Sequence, residues 1–544
     1  MVKRFGLAWR VPVLGMFACA VTALCADGPL PSREPLHAQI DRLIEAAAGG
    51  PLGPLADDAE FLRRVSLDFA GRIPASGELR AFLADTSPDK RARSIDRLLA
   101  DSRYVDRMTD LFSVMLLERR GEHPEWQRFL RESFAANRPW DRMVRDIVAP
   151  NADDESARGA AYFYTVRLER YGQNPPDVEG LVRDIGRMFL GVDVQCAQCH
   201  DHLFVDDYKQ VDYQGLYAFV GQAFIRQDKP FPAVGENPLL QPVAFKSVFG
   251  GDEMKTGPRL PGGESIAIPE IAKGQEYQVP PDRKAKTPGV LKFSPLRQLG
   301  ESLPRGDNRA FARNIVNRMW WMMMGRGLVD PLDLSHSANP PSHPELLDLL
   351  ADEMVAQQFD LKWLLRELAL SQTYQRSGVF PAASGEVDTI PPTSYRVALE
   401  RPLSPVQLLD SLLLATGEGA QLMGRDKTLE ELRKLFDAAF ASPPKEPEIA
   451  VNPTVKAALF LSNEQRVLAW FEPHEGNLVE RLAQHADDGS VAEELYLSIL
   501  SRRPTSDEAE TVHGCLASHA SARTRAIGQL AWALAASTEF FVNH

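Results

Sequence analysis

Cysteine is scarce, with five thiols in 544 residues, too few for a disulfide-built scaffold. Positive charge is also in deficit: 61 Lys and Arg face 74 Asp and Glu, a formal net charge of −13. That balance argues against a nucleic-acid binder or a general binder of anionic membranes, because each needs a basic surface. Beyond Ala26 no apolar run is long enough to span a bilayer. Phosphate loops, dinucleotide fingerprints, Gly-x-Ser-x-Gly elbows and Ser-His-Asp signatures are missing, and no solenoid-type repeat recurs.

What is there begins with an address. Lys3, Arg4 and Arg10 form a positive n-region, Val11 to Leu24 an apolar run, and Ala23-Leu24-Cys25 a small-residue cleavage site. A signal peptide over residues 1–25 is therefore expected, with the mature chain in the periplasm or otherwise exported. Met16-Phe17-Ala18 and Thr22-Ala23-Leu24 are poor lipoboxes, which disfavours lipid attachment at Cys19 or Cys25. Without the leader only Cys196, Cys199 and Cys515 remain, and Cys515 reads as a small buried hydrophobe.

The periodicity predicts a mainly α protein of multi-helical N- and C-terminal domains with a small irregular β-containing insert between them. From His37 to Ala223 apolar residues recur at three- and four-residue steps, as in Ile95, Leu98 and Leu99 or Met108, Leu111 and Met115. Over residues 224–304 prolines and glycines crowd together, and the alternation in Pro242 to Phe249 favours strand. From Asn308 to His544 helical signals return: Ala310 to Trp321 should be one helix ending near Gly325 and Gly327. Ser342 should cap another, with Glu345 completing a capping box.

The run Cys196-Ala197-Gln198-Cys199-His200, followed by Asp201 and His202, points most directly at chemistry. Two thiols so spaced can reach the two vinyl groups of haem c, and the adjacent imidazole can take an axial iron position. Zinc is the alternative, held by Cys196 and Cys199 with His200 or His202, a complete N/S set. A bare disulfide is the third reading, though it has no need of flanking imidazoles. For a second axial ligand the sequence offers Met319, Met322, Met323 and Met324, better read as core at helical spacing, and the loop residues His336 and His343. Asp201, Asp206, Asp207 and Asp212 could orient imidazoles or simply be solvated. Arg318 and Arg326 could clamp an anion or form interhelical salt bridges.

Three stretches carry a family resemblance: Phe61 to Pro74, Phe189 to His202, and Asp212 to Leu216. Together they resemble the planctomycete-type cytochrome c-like domain. Asn317-Arg318-Met319-Trp320, Gly325 to Leu328 and Asn339 to Asp348 resemble the domain of unknown function that habitually follows it, continued by Phe359 to Leu364, Ser371 to Tyr374 and Ser537 to His544. The chain departs from the family pattern at Leu203-Phe204, at Asp206-Asp207-Tyr208 and around Leu334-Ser335-His336. The resemblance implies an exported, mostly helical protein whose family is labelled cytochrome-like for its cysteine motif. Taken with the motif and the leader, it makes haem c binding the expectation, with electron transfer or haem-assisted oxidation in the cell envelope as the work. The expected partner is a redox protein or an envelope polysaccharide, not nucleic acid; the alternative is a zinc- or disulfide-stabilised binding scaffold.

Overall fold

The run from Phe61 to Pro74 becomes the element around which the rest is arranged. It supplies the helix Asp58–Ala70, whose start is capped by Asp57, the carboxylate accepting from the Glu60 N–H at 2.8 Å. Gly71, at φ 70, ends it in the left-handed conformation that a side chain resists. Every residue from Ala59 to Ala70 except Glu60 is buried, including the polar Arg63, Arg64, Ser66 and Asp68. Such a helix needs core on more than one side. Phe61, Leu62, Val65 and Phe69 pack into one hydrophobic core, while Leu67 and the following Ile73 pack into a second.

The computed structural model describes residues 34–170, 175–282, 284–380, 390–422, 425–446 and 455–544. The expected leader over residues 1–25 lies outside them. From Leu36 to His544 the described chain forms one compact unit. Its first core draws on helices from Leu36–Ala47 through Ser102–Leu117, Val178–Ile185 and Arg309–Met324 to Leu361–Leu370. The second draws on Pro405–Thr416, Asp426–Phe440, Leu478–Ala483, Asp488–Ile499, Ser506–Ser518 and Arg523–Ala535.

The protein is mainly α. Strands occur among the described residues as four antiparallel two-stranded ribbons. Ala223–Ile225 pairs with Val234–Glu236, Val243–Phe245 with Met254–Thr256, and Tyr277–Val279 with Val290–Leu291, all in or bordering the Pro/Gly-rich stretch. The alternating run from Pro242 yields strand only to Phe245. Beyond it the Val248 N–H leaves the ladder and donates to the Cys199 carbonyl at 3.0 Å. The fourth ribbon pairs Arg401–Pro402 with Val542–Asn543, bringing the chain's last residues back against the Asp58–Ala70 helix.

The helix expected over Ala310 to Trp321 spans Arg309–Met324, capped by Asn308 and ended by Gly325 at φ 80. The next helix differs from its sequence signal. It starts at Pro344 with His343 at the cap position and no side-chain cap bond. Ser342 is diverted: its N–H donates to the Leu328 carbonyl at 2.8 Å and its hydroxyl lies 3.1 Å from His343 Nδ1, so no capping box with Glu345 forms.

Candidate functional site

The helix Val178–Ile185 widens into a π-turn, Gly186–Leu190, and stops at Gly191, φ 70. A Cβ at Gly191 would meet Asn314 Oδ1 at 3.0 Å, so glycine serves both the turn and the close approach. The Gly191 carbonyl accepts the Ser335 N–H at 2.9 Å, and Val192 bridges to Leu334. A short 3₁₀ turn, Cys196–Gln198, follows. Ala197 is fully buried, which turns its neighbours outward: Cys196 and Cys199 are exposed free thiols. The backbone beneath them is tied down. Gln210 and Gln214 donate from Nε2 to the Gln198 carbonyl at 3.3 and 3.2 Å, and Val248 N–H closes on the Cys199 carbonyl.

The two imidazoles are held in different states. His200 Nδ1 lies 2.6 Å from the Asp201 carbonyl oxygen. A carbonyl can only accept, so Nδ1 carries the proton and Nε2 keeps its lone pair, the state of a metal-ligating histidine. His202 Nδ1 instead accepts the Phe204 and Val205 N–H groups at 3.2 and 3.0 Å. In the neutral ring this puts the proton on Nε2, and a lone pair for a metal would require that proton to leave or those bonds to break. Among the described residues no three His, Cys, Asp or Glu side chains gather as a metal-holding group.

The acidic strip serves backbone groups. Asp201 Oδ1 accepts the Gln210 N–H at 2.8 Å at the start of the helix Gln210–Val220, and Asp207 accepts the Ser337 N–H. Asp212 accepts the Gly262 N–H at 3.1 Å and pairs with Arg259 at 3.0 Å; its burial raises its pKa. Asp206 is exposed. The stretches at which the sequence departs from the family pattern meet here. Tyr208 packs on His202 at 5.9 Å and on His336 at 5.4 Å between ring centroids, and its hydroxyl donates to the Ser335 carbonyl at 3.3 Å. His336 thus comes to the motif through Tyr208, while His343 is buried against Tyr395 at 5.5 Å.

The sequence pattern does not reveal an exposed apolar collar at this site. Phe249 stacks on His200 at 4.7 Å while itself 69% exposed. Phe204, near His202, is 87% exposed, and Leu203 and Val248 are exposed beside them in sequence. Exposed apolar side chains gathered around a motif mark a place that something covers. Part of the collar comes from the Pro/Gly-rich stretch, some 50 residues after the motif, and only the fold brings it there.

Two cavities lie elsewhere. Met319 and Met322 are buried and line one of about 330 Å³, together with Arg318. Arg318 is committed: it pairs with Asp333 and donates to the Arg187 carbonyl at 2.7 Å, while Arg326 pairs with Asp330 at 2.8 Å. Beside this chamber, sharing Arg107, Asp110, Val406 and Gln407 in its wall, runs a wider cleft of about 680 Å³. Asp110 and Asp410 line the cleft with Arg72 and Arg433. Burial pushes both carboxyls up, Asp410 to about 6, against the pull of Arg433; Asp110 adds to the push on Asp410, and Asp106 to that on both. An acid whose folded pKa is raised binds more protons folded than unfolded, so stability falls as pH rises from about 4, the unfolded value, through the folded value of about 6. Asp410→Asn, which cannot ionise, is expected to flatten that decline in unfolding midpoints measured across the window; an unchanged slope would refute the assignment.

Comparison with known families places matches on two parts of the chain. Residues 39–223 match the family model PSCyt2, described as a protein of unknown function (DUF1549). Residues 297–432 match PSD1, described as a protein of unknown function (DUF1553). Both stretches contain the residues on which the resemblance rested, except the segments at Ser537 to His544. No curated protein and no solved structure matches the chain.

Proposed function

We propose that this chain, a PSCyt2-type segment followed by a PSD1-type segment, is an exported protein that attaches haem c at Cys196 and Cys199, with His200 as the proximal ligand. The observation that carries the reading is the His200 ring: its Nδ1–H is spent on the Asp201 carbonyl, leaving Nε2 free to bind iron. The residues fit the group in two further respects. Both thiols are free and face outward, and each can add across a vinyl group as S–H to C=C, a step that needs no oxidant. The collar of Leu203, Phe204, Val248 and Phe249 offers apolar contact of the kind a macrocycle needs. Haem c would supply one-electron redox chemistry.

The work of the chain's own residues is to hold the attachment turn rigid, through Gln210, Gln214 and Val248, and to set the imidazole's tautomer. Electron transfer with an envelope redox partner is the function this supports best. Among the described residues no helix is long and apolar enough to cross a membrane.

The test is expression with the leader in a host that carries c-type maturation machinery. Expected are a pyridine haemochrome spectrum and a mass increase of one haem, both lost in Cys196→Ala/Cys199→Ala. His200→Ala should keep the covalent mass while shifting the Soret band. Colourless protein of apo mass overturns the proposal, and zinc near one per chain with no Soret band would replace haem with metal stabilisation.

A further inference from the structure

The chamber between the two family-matched segments has features that structural packing alone does not require. Asp68, Glu118 and Arg187 from the first segment and Arg318, Asp333 and Arg401 from the second stand in its wall. Asn543, from the chain's end, joins them.

Most charges of the wall are paired. Asp68 binds Arg401 through both oxygens at 2.9 Å, Glu118 binds Arg187 at 2.6 Å, and Asp333 binds Arg318 and Arg187. Arg119 pairs with Asp437 at 2.8 Å, and Glu400 is exposed to solvent. Asp110, its carboxyl pushed up by burial, has Arg433 and Arg107 as its opposing charges, so no unmatched buried cation in the wall calls for an anionic ligand.

Two acceptors are left over. Asn543 Oδ1 and Glu118 Oε2 are buried in residues only 3% exposed and accept no hydrogen bond, Glu118 Oε2 having Arg120 Nη2 at ion-pair distance, 3.6 Å. The Asn543 orientation is settled by its Nδ2, which donates to Asp68 Oδ1 at 3.0 Å, so the orphan is the carbonyl oxygen. Glu118, in the chamber wall, has a left-handed backbone at φ 47, with Arg119 following at φ 53, a conformation non-glycine residues adopt only where the surroundings impose it. Buried acceptors of this kind ask for a donor. The same chamber is lined by Met115, Met188, Met319, Met322 and Trp321, a soft apolar wall.

We propose that this chamber binds a neutral, polyhydroxylated small molecule, a monosaccharide unit or cyclic polyol, with hydroxyls donating to Asn543 Oδ1 and Glu118 Oε2 and its C–H face on the methionines and Trp321. The volume suits one such ring, and the adjoining cleft offers the way in. The site is separate from the Cys196–His202 turn, and its proposal does not depend on haem.

The test is calorimetric titration of the full mature protein with D-glucose, N-acetyl-D-glucosamine and myo-inositol, beside the charged analogues D-glucosamine and D-glucuronate. Saturable 1:1 binding of a neutral compound is expected, weakened about tenfold or more by Asn543→Ala, the loss of one buried hydrogen bond. Asn543 also supports Asp68, so Met115→Trp serves as a second variant: Met115 is partly exposed and can be enlarged to fill the chamber without breaking a polar contact. It should abolish binding while leaving the unfolding midpoint close to that of the parent. Tighter binding of a charged analogue overturns the proposal. So does the absence of binding by all three neutral compounds, with a crystal structure showing only ordered water on the two acceptors.

Discussion

Asp184→Ala is expected to destabilise the protein by about 3–5 kcal/mol, the cost of stripping one partner from a buried ion network. Asp184 is fully buried and accepts from Arg167 Nε at 2.8 Å, Arg120 Nη2 at 2.9 Å and Arg187 Nη1 at 3.2 Å. Arg167 is fully buried too, and its Nη1 and Nη2 are spent on the Phe163 and Leu116 carbonyls. Removing the carboxylate leaves three guanidiniums around an empty site, with Glu118, Asp333 and the more exposed Asp177 to balance them. The attraction lost is large because water does not screen it. A loss of 3–5 kcal/mol is a large share of the 5–15 kcal/mol by which domains are typically stable. The control is Asp352→Ala, whose pair with Arg309 lies on the surface and should change stability by about 0.5 kcal/mol or less. Urea unfolding of the two variants separates the cases, and equal effects would show that the buried network is not the stabilising element claimed.

Asp68→Ala is expected to cost a similar amount, about 3–5 kcal/mol, but with a different spatial signature. Asp68, fully buried in the Asp58–Ala70 helix, accepts from both Nη atoms of Arg401, from the Tyr374 hydroxyl at 2.7 Å and from Asn543 Nδ2 at 3.0 Å. Its donors come from three distant segments, so its loss should release the Arg401–Pro402/Val542–Asn543 ribbon as well as lower global stability. Hydrogen exchange at Val542 and Asn543 is expected to accelerate more than at the Ser102–Leu117 helix; uniform acceleration would argue against a local tether. Asp68→Asn, which keeps the shape and loses the charge, should fall between parent and alanine, since Arg401 would lose its counter-ion while Tyr374 keeps an acceptor.

These two acids also mark where reading the sequence stopped short. Arg63, Arg64 and Asp68 sit among Phe61, Leu62, Val65 and Phe69, and Asp184 and Arg187 among Leu181, Ile185 and Phe189. Polar residues inside helices apolar on every side are a signal that they are buried and paired, but the pattern does not say with what. The partner of Asp68 lies 333 residues away in Arg401, and no periodicity links the two. At the motif, spacing alone identified Cys196, Cys199 and His200 as a set. It could not tell the tautomers of His200 and His202 apart, because those follow from a carbonyl and two N–H groups that the local loop happens to present.

By itself the sequence determined the local conformational decisions: a mainly α chain, the helix over Ala310 to Trp321 with its end at Gly325, and strand within the Pro/Gly-rich stretch. Each depends on neighbours within a few residues, through hydrogen bonds to i−4, caps, and glycine's freedom at positive φ. Only the tertiary structure decided that Phe249 stacks on His200, that Tyr208 meets His336, and that both matched segments and Asn543 wall one chamber. Those arrangements are set by which buried charges and apolar faces find complements across the fold, and Coulomb attraction and burial act through distance in space rather than position along the chain.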